Sequence, residues 1–209
     1  MIEEKEIMEA LKTAREKSKK RKFTQTWDLI INLKNIDLSK PENRFSGSII
    51  LPNKKGKKSK ICVITNSLVN EAKKLGIKTI TRDELKKMTK KEAKKIADEY
   101  DYFLGEASLM PDIGRILGPV LGPRGKMPKP FPPGANLKSL IESGSKTFNI
   151  NVKTPVIQGA IGSEDMKDEE LTENIMSVLN FVESKLPKGK QQIKDVYVKL
   201  TMGSPAKVK

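Results

Sequence analysis

Apolar residues recur along this 209-residue chain in two periods, and the order of those periods outlines a fold. Near the N-terminus Ile7, Leu11 and Ala14 repeat at helical spacing among charged neighbours, which predicts an amphipathic helix over residues 7–19. Residues 27–33 then alternate, placing Trp27, Leu29, Ile31 and Leu33 on one face of a half-buried strand. Phe45, Gly47, Ile49 and Leu51 share the face of a second strand. The run Lys54-Lys55-Gly56-Lys57-Lys58-Ser59-Lys60 interrupts the pattern as an exposed basic loop.

The grammar changes after that loop. Residues 61–65 form a short, continuous apolar run, the mark of a strand buried on both faces. A helix over 67–75 closes at Gly76, a favoured residue just past a helix end. A strand over 77–81, a long Lys-rich helix over 83–99, a strand over 100–104 and a helix over 107–117 interrupted at Pro111 follow in turn. This alternation predicts a parallel sheet with helices on both faces. A Gly/Pro-rich stretch runs from 118 to 134, and a short helix follows over 137–142.

The first grammar then returns. Residues 147–153 and 155–162 read as two strands of a hairpin, with Pro155 between them. Leu171, Ile175, Val178, Leu179 and Val182 mark the apolar side of a helix over 168–185, and a final strand covers 195–200. Neither terminal segment is large enough to stand alone. Joined, they make an α+β sandwich, one antiparallel sheet covered by two helices. The expected architecture is therefore two domains. Residues 1–58 with 148–209 form a discontinuous α+β domain, and residues 59–147 form a Rossmann-like α/β domain inserted at an exposed loop. The two adjacent linkers would act as a hinge.

Charge narrows the partners. The chain carries 41 Lys+Arg against 26 Asp+Glu, a net charge of +15. Residues 1–58 and 59–147 each hold a net +7 and residues 148–209 a net +1, so the excess spans both domains instead of sitting in a tail. Such a surface steers polyanions toward it. No apolar run is long enough to span a bilayer, and the start Met1-Ile2-Glu3-Glu4-Lys5-Glu6 is unlike a secretory signal, so a cytoplasmic protein without membrane contact is expected. The single cysteine, Cys62, lies in an apolar run and reads as an inert buried thiol. With no histidine, neither a Ser-His-Asp triad nor a His-bearing zinc site can be assembled. These features point away from catalysis, from cofactors and from metals.

Three segments carry candidate chemistry. In the first, Gly118 to Pro130, the Gly125-Lys126 pair invites a phosphate-loop reading. Val120 stands where the first glycine of that motif belongs and Met127 where a magnesium-binding hydroxyl belongs. The segment then reads as a rigid basic loop presenting Arg124 and Lys126 to a polyanion, or as a purely structural connection. The second is the run Lys17–Lys22 followed by Phe23 and Thr24-Gln25-Thr26. It sets cations, an aromatic ring and hydroxyls at a helix-to-strand junction, suited to phosphate contact with stacking. Phe23 could equally be a core plug. In the third, Thr201-Met202-Gly203, a hydroxyl, an apolar side chain and bare backbone end the last strand. That set can read RNA sugar and base edges, or it can be a strand terminus with a turn glycine.

Three motifs in order resemble the ribosomal protein L-one family, in its archaeal form. They are Gly114-Arg115-Ile116-Leu117-Gly118 with Gly122-Pro123-Arg124-Gly125-Lys126-Met127-Pro128, the Lys22-Phe23…Thr26 junction, and Val196-Tyr197-Val198…Thr201-Met202-Gly203. The resemblance covers nearly the whole chain and implies the same split two-domain fold. It implies an rRNA site on a sheet face and adjoining loops, with Lys22, Phe23 and Thr26 at one edge and Thr201, Met202 and Gly203 at the other. Lys153 would sit beside them, and Arg115, Arg124 and Lys126 of the inserted domain would add secondary contacts. The resemblance further implies a component of the mobile stalk of the large ribosomal subunit that binds large-subunit rRNA and contacts deacylated tRNA at the exit site. Repression of its own mRNA, and a monomeric state off the ribosome, are also implied. One departure is Ser204, which stands between Gly203 and Pro205 where the family has proline directly. Two competing readings remain: an enzyme binding a nucleotide on the inserted domain, and a coating protein that binds nucleic acid through charge alone.

Overall fold

A computed structural model describes residues 3–38, 43–56, 60–152 and 154–208. The chain folds as a mixed α/β protein with antiparallel and parallel sheets, in two compact units. One unit is Met1–Lys57 with Lys146–Lys209, and the other is Lys58–Ser145.

In the first unit, helix α1 (Glu4–Glu16) precedes strands β1 (Thr26–Leu33) and β2 (Ser46–Ile50). The second unit runs β3 (Ile61–Ile64), α2 (Val69–Lys74), β4 (Lys78–Ile80), α3 (Arg82–Lys87), α4 (Lys90–Glu99), β5 (Tyr102–Glu106), α5 (Met110–Ile116), α6 (Gly118–Leu121), β6 (Lys129–Phe131) and α7 (Leu137–Ser145). The chain then returns to the first unit with β7 (Thr147–Asn151), β8 (Val156–Ser163), α8 (Asp168–Lys185), β9 (Ile193–Leu200) and β10 (Ala206–Lys207).

The first unit is built on β1. Its alternation puts Trp27, Leu29, Ile31 and Leu33 inward, against Ile7, Ala10, Leu11 and Ala14 of α1 and Leu171, Ile175, Val178 and Val182 of α8. Burying each such large side chain stabilises by about 1.5–3 kcal/mol, so this row of β1 anchors both helices. The sheet order is β10-β9-β1-β8, with every pair antiparallel.

Two sequence expectations need correction here. Residues 147–151 and 156–163 do not form a hairpin, because β7 pairs with β2 while β8 pairs with β1. Pro155 has no N–H to donate and separates them, and its carbonyl instead accepts from Leu33 N at 2.8 Å. Consequently this unit holds a four-stranded sheet and a separate two-stranded one, not a single sheet.

In the second unit the order is β4-β3-β5-β6, all parallel. Cys62, Ile64 and Phe103 face α3 to α6 through Leu85, Ala93, Ala97, Ile113, Leu117 and Leu121. Val63, Leu104 and Phe131 face the other way, toward Ala72 of α2 and Leu137 of α7.

The long helix expected over 83–99 is two helices. Thr89 takes an extended conformation, its hydroxyl accepts from Glu92 N, and the Glu92 carboxylate accepts from Thr89 N at 2.8 Å. That reciprocal box starts a new helix. Pro111 sits in the first turn of α5, where its missing N–H is harmless, so it opens a helix instead of interrupting one.

Candidate nucleic-acid interface

The site in the first unit forms where the start of β1 meets the end of β9. Helix α1 stops at Glu16, and Ser18 turns back to donate its hydroxyl to Ala14 O at 2.6 Å. Residues 19–24 are exposed, so the cations from Lys19 to Lys22 stand in solvent. Phe23 is 55 % exposed and therefore no core plug.

Thr26, the first residue of β1, is locked to Thr201, which follows the last residue of β9. Thr201 donates to Thr26 O from its backbone N at 3.0 Å and from its hydroxyl at 3.1 Å. Thr26 N donates back to Thr201 Oγ1 at 3.2 Å. The Thr201 hydroxyl thus ties the two strand ends together. Gly203 N donates to Leu200 O at 2.8 Å and closes the turn, leaving Met202 59 % exposed. A Cβ at Gly203 would overlap the Ser18 hydroxyl. Close approach to the end of α1, not a left-handed backbone, is what requires glycine here.

The strand ends open onto the sheet face that the helices leave uncovered. In register across β8, β1 and β9 it carries Ala160, Asp28 and Lys199, then Gln158, Ile30 and Tyr197, then Val156, Asn32 and Asp195. Asp195 pairs with Lys207 of β10 at 2.8 Å, which holds its carboxyl below the usual range. Partial burial pushes the Asp28 carboxyl up, and Lys199 opposite pulls it back. Lys22, Phe23, Thr26, Thr201, Met202 and Gly203 are therefore gathered at one end of this sheet. Lys153 lies outside the described residues.

The basic residues of the second unit behave differently. Lys126 turns inward and donates to Ala97 O at 2.9 Å and Tyr100 O at 2.8 Å, capping the C-terminal end of α4. Arg124 pairs with Asp98 of the same helix. Arg115 projects outward, with its side chain 76 % exposed and only a loose 3.8 Å approach to Asp112.

At the carboxyl ends of β3 and β5, where a doubly wound sheet would bind a nucleotide, the position is taken by Glu106. One of its oxygens accepts from Thr65 Oγ1 at 2.7 Å, Asn66 N at 3.0 Å, Ser67 Oγ at 3.0 Å and Ser67 N at 3.3 Å. The other accepts from Ser108 at 2.8 Å. Burial alone would raise the Glu106 carboxyl, but these donors together hold it at about 2. The backbone N–H groups that could cradle a phosphate there already hold a carboxylate.

Sequence reasoning did not single out Glu106, nor Gln25 and Glu164 beneath the strand-end site. Gln25 is 1 % exposed, two residues before Trp27 and on the same face of the β1 run, where the pattern calls for an apolar residue. That exception was the available signal.

Among the described residues no group of His, Cys, Asp and Glu could hold a metal ion, and no helix is long and apolar enough to cross a membrane. Fold and site together describe a basic recognition protein with its polar and aromatic groups set at strand ends. The chain belongs to the Ribosomal protein L1p/L10e family, whose model matches residues 13–204. This is a family of ribosomal proteins that act in translation, not of enzymes. The chain is 50% identical over 206 residues to the large ribosomal subunit protein uL1 of Methanothermococcus thermolithotrophicus, covering 97% of each. It is 48% identical over 208 residues to that of Methanothermobacter thermautotrophicus, covering 97% of this chain and 98% of the relative. The likeness to the Thermococcus kodakarensis protein is 48% over 207 residues, or 97% and 96% of the two chains.

Proposed function

We propose that this protein is a structural component of the large ribosomal subunit that binds large-subunit rRNA through the strand-end site of its first unit. The observation that carries the reading is the Thr26–Thr201 lock, flanked by two exposed apolar side chains, Phe23 and Met202, that packing alone does not explain. A rigid backbone platform with an aromatic ring, a thioether and free lysines suits an RNA surface read by shape, sugar contacts and stacking. Lys153 belongs to the same site on this reading.

The finer picture rests on the family resemblance. The first unit is the rRNA-binding α+β domain and the second a Rossmann-like domain inserted into it, moving on a two-strand hinge. Together with the rRNA they form the mobile stalk near the tRNA exit site. There the stalk meets deacylated tRNA, and Arg115, Arg124 and Lys126 supply secondary contacts, Arg115 being the freest of the three. Off the ribosome the protein is a cytoplasmic monomer and represses translation by binding a similar fold in its own mRNA.

Replacing single residues of the site tests this. Thr201→Val removes the two hydroxyl bonds of the lock while leaving its backbone bond, and Met202→Ala removes the exposed thioether. Each should weaken binding to a stalk rRNA fragment by roughly 1–3 kcal/mol and leave a scrambled RNA of equal length unaffected. Equal losses on both RNAs would refute the site.

A further inference from the structure

Beneath the exposed site lies a buried amide whose chemistry the packing does not account for. Gln25 continues the inward row of β1 formed by Trp27, Leu29 and Ile31, and its side chain is enclosed. Its backbone is stitched to the loop after β8, with Gln25 N donating to Glu164 Oε2 at 3.0 Å and Glu164 N to Gln25 O at 2.8 Å. Its side-chain Oε1 accepts from Met202 N at 3.1 Å.

That last contact fixes which way the amide points. Only the oxygen can accept from a backbone N–H, so the flipped amide would set two donors face to face. Nε2 is therefore turned inward, where it is buried and finds no acceptor among the described residues. An unpaired buried donor carries its full desolvation cost. A methionine would fill nearly the same volume without that cost. What glutamine supplies, and an apolar residue does not, is the acceptor for Met202 N.

The turn is thus held from two sides. Thr201 is fixed by Thr26, Met202 by Gln25, and Gly203 N closes onto Leu200 O. Met202 is mostly exposed, so packing does not hold its side chain, and its backbone sets the point and direction from which that side chain leaves the turn.

We infer that Gln25 is a positioning residue for RNA recognition, its buried carbonyl oxygen presetting the Met202 backbone in the shape that meets RNA. The inference rests on the strand-end site proposed above. Gln25 gives up some core stability to preorganise the loop, so that binding does not have to order it.

The test compares the full-length parent with Gln25→Met, Gln25→Glu and Met202→Ala. Binding to a stalk rRNA fragment and to a scrambled RNA is measured alongside melting temperature and amide hydrogen exchange. Gln25→Met should weaken the stalk fragment about tenfold, the worth of one well-placed hydrogen bond, chiefly through faster dissociation. It should leave the scrambled RNA unchanged and melt no lower than the parent. The Met202 amide should exchange faster while the Thr201 amide, held by Thr26, keeps its protection. Gln25→Glu keeps the acceptor and should keep the slow Met202 exchange, at the cost of a lower melting temperature from a carboxyl buried beside Glu164. If Gln25→Met binds like the parent while Met202→Ala is weakened, the site stands and the role of Gln25 is overturned. If neither variant loses specific binding, the site itself fails, and this inference with it. A melting temperature that falls along with affinity in Gln25→Met makes Gln25 a core residue and also overturns the inference.

Discussion

Glu106→Gln isolates the electrostatics of the second unit. The folded carboxyl titrates at about 2 against an ordinary 4.5, because four donors converge on one oxygen and Ser108 on the other. Its folded value lies below its unfolded one, so the ionised form stabilises the fold. That contribution is fully present above pH 4.5 and is lost as pH falls through about 2. A shift of this size corresponds to roughly 3 kcal/mol. Glutamine has the shape of the protonated acid, so Glu106→Gln should forfeit roughly the same 3 kcal/mol at neutral pH. The only tryptophan, Trp27, lies in the first unit, so its fluorescence does not report the loss. Amide exchange in β3 and β5 does. Those amides should lose protection at pH 7 in the variant, while the urea transition seen by Trp27 stays in place. The parent should lose the same protection on acidification toward pH 2 and the variant should lose less, since Glu92 of the same unit is also held below its ordinary value by its bonds to Thr89. A loss under about 1 kcal/mol, or the same acid dependence in both proteins, would refute the reasoning.

Other consequences are as specific. Burial pushes the Cys62 thiol up to about 12, so iodoacetamide at pH 8 should leave it unmodified until denaturant opens β3, as mass spectrometry would show. Thr89→Ala removes the box that starts α4 and should destabilise the second unit by about 1 kcal/mol, measured by exchange of the α4 amides. Gly203→Ala drives a methyl group into the Ser18 hydroxyl and should weaken the stalk fragment selectively, and Ser18→Gly in the same chain should restore binding. A Gly203→Ala protein with parental affinity would place that turn outside the interface.

Much of the fold was legible because its main elements repeat at one period over many residues. The inward row of β1 and the apolar stripe of α8 are written plainly in the order of residues, and α8 spans the predicted residues 168–185. What was not legible is short or non-local. Strand β6 holds only Lys129, Pro130 and Phe131, at the edge of its sheet where proline is tolerated, and it was hidden in a Gly/Pro-rich stretch. Strand β10 has two residues. The pairing of β2 with β7 joins segments about a hundred residues apart, which no local pattern encodes. The division of α3 from α4 was readable, since Thr89-Lys90-Lys91-Glu92 is a capping sequence, but the helical period on either side masked it.

At the site, residue type drew attention to the exposed residues but left Phe23 equally readable as a core plug. Phe23 and Met202 are apolar residues in polar surroundings at element ends, and the structure leaves both in solvent. Residue type alone could not say which cations are free. Lys126 and Arg124 have the composition of a polyanion loop, yet they reach back to α4, and only the fold reveals the carbonyls and carboxylate they meet. The supporting residues were harder still. Gln25 and Glu106 act through buried hydrogen bonds to residues far along the chain.

The most direct measurement is a titration of the intact protein with a stalk rRNA fragment and a scrambled RNA of equal length, over a series of salt concentrations. A shape-specific site predicts that the stalk fragment binds on the order of a thousandfold more tightly and keeps that margin as salt rises, because phosphate contacts weaken for both RNAs alike. Equal affinities that vanish together with salt would mean that only the net charge of +15 is at work, and would contradict the account.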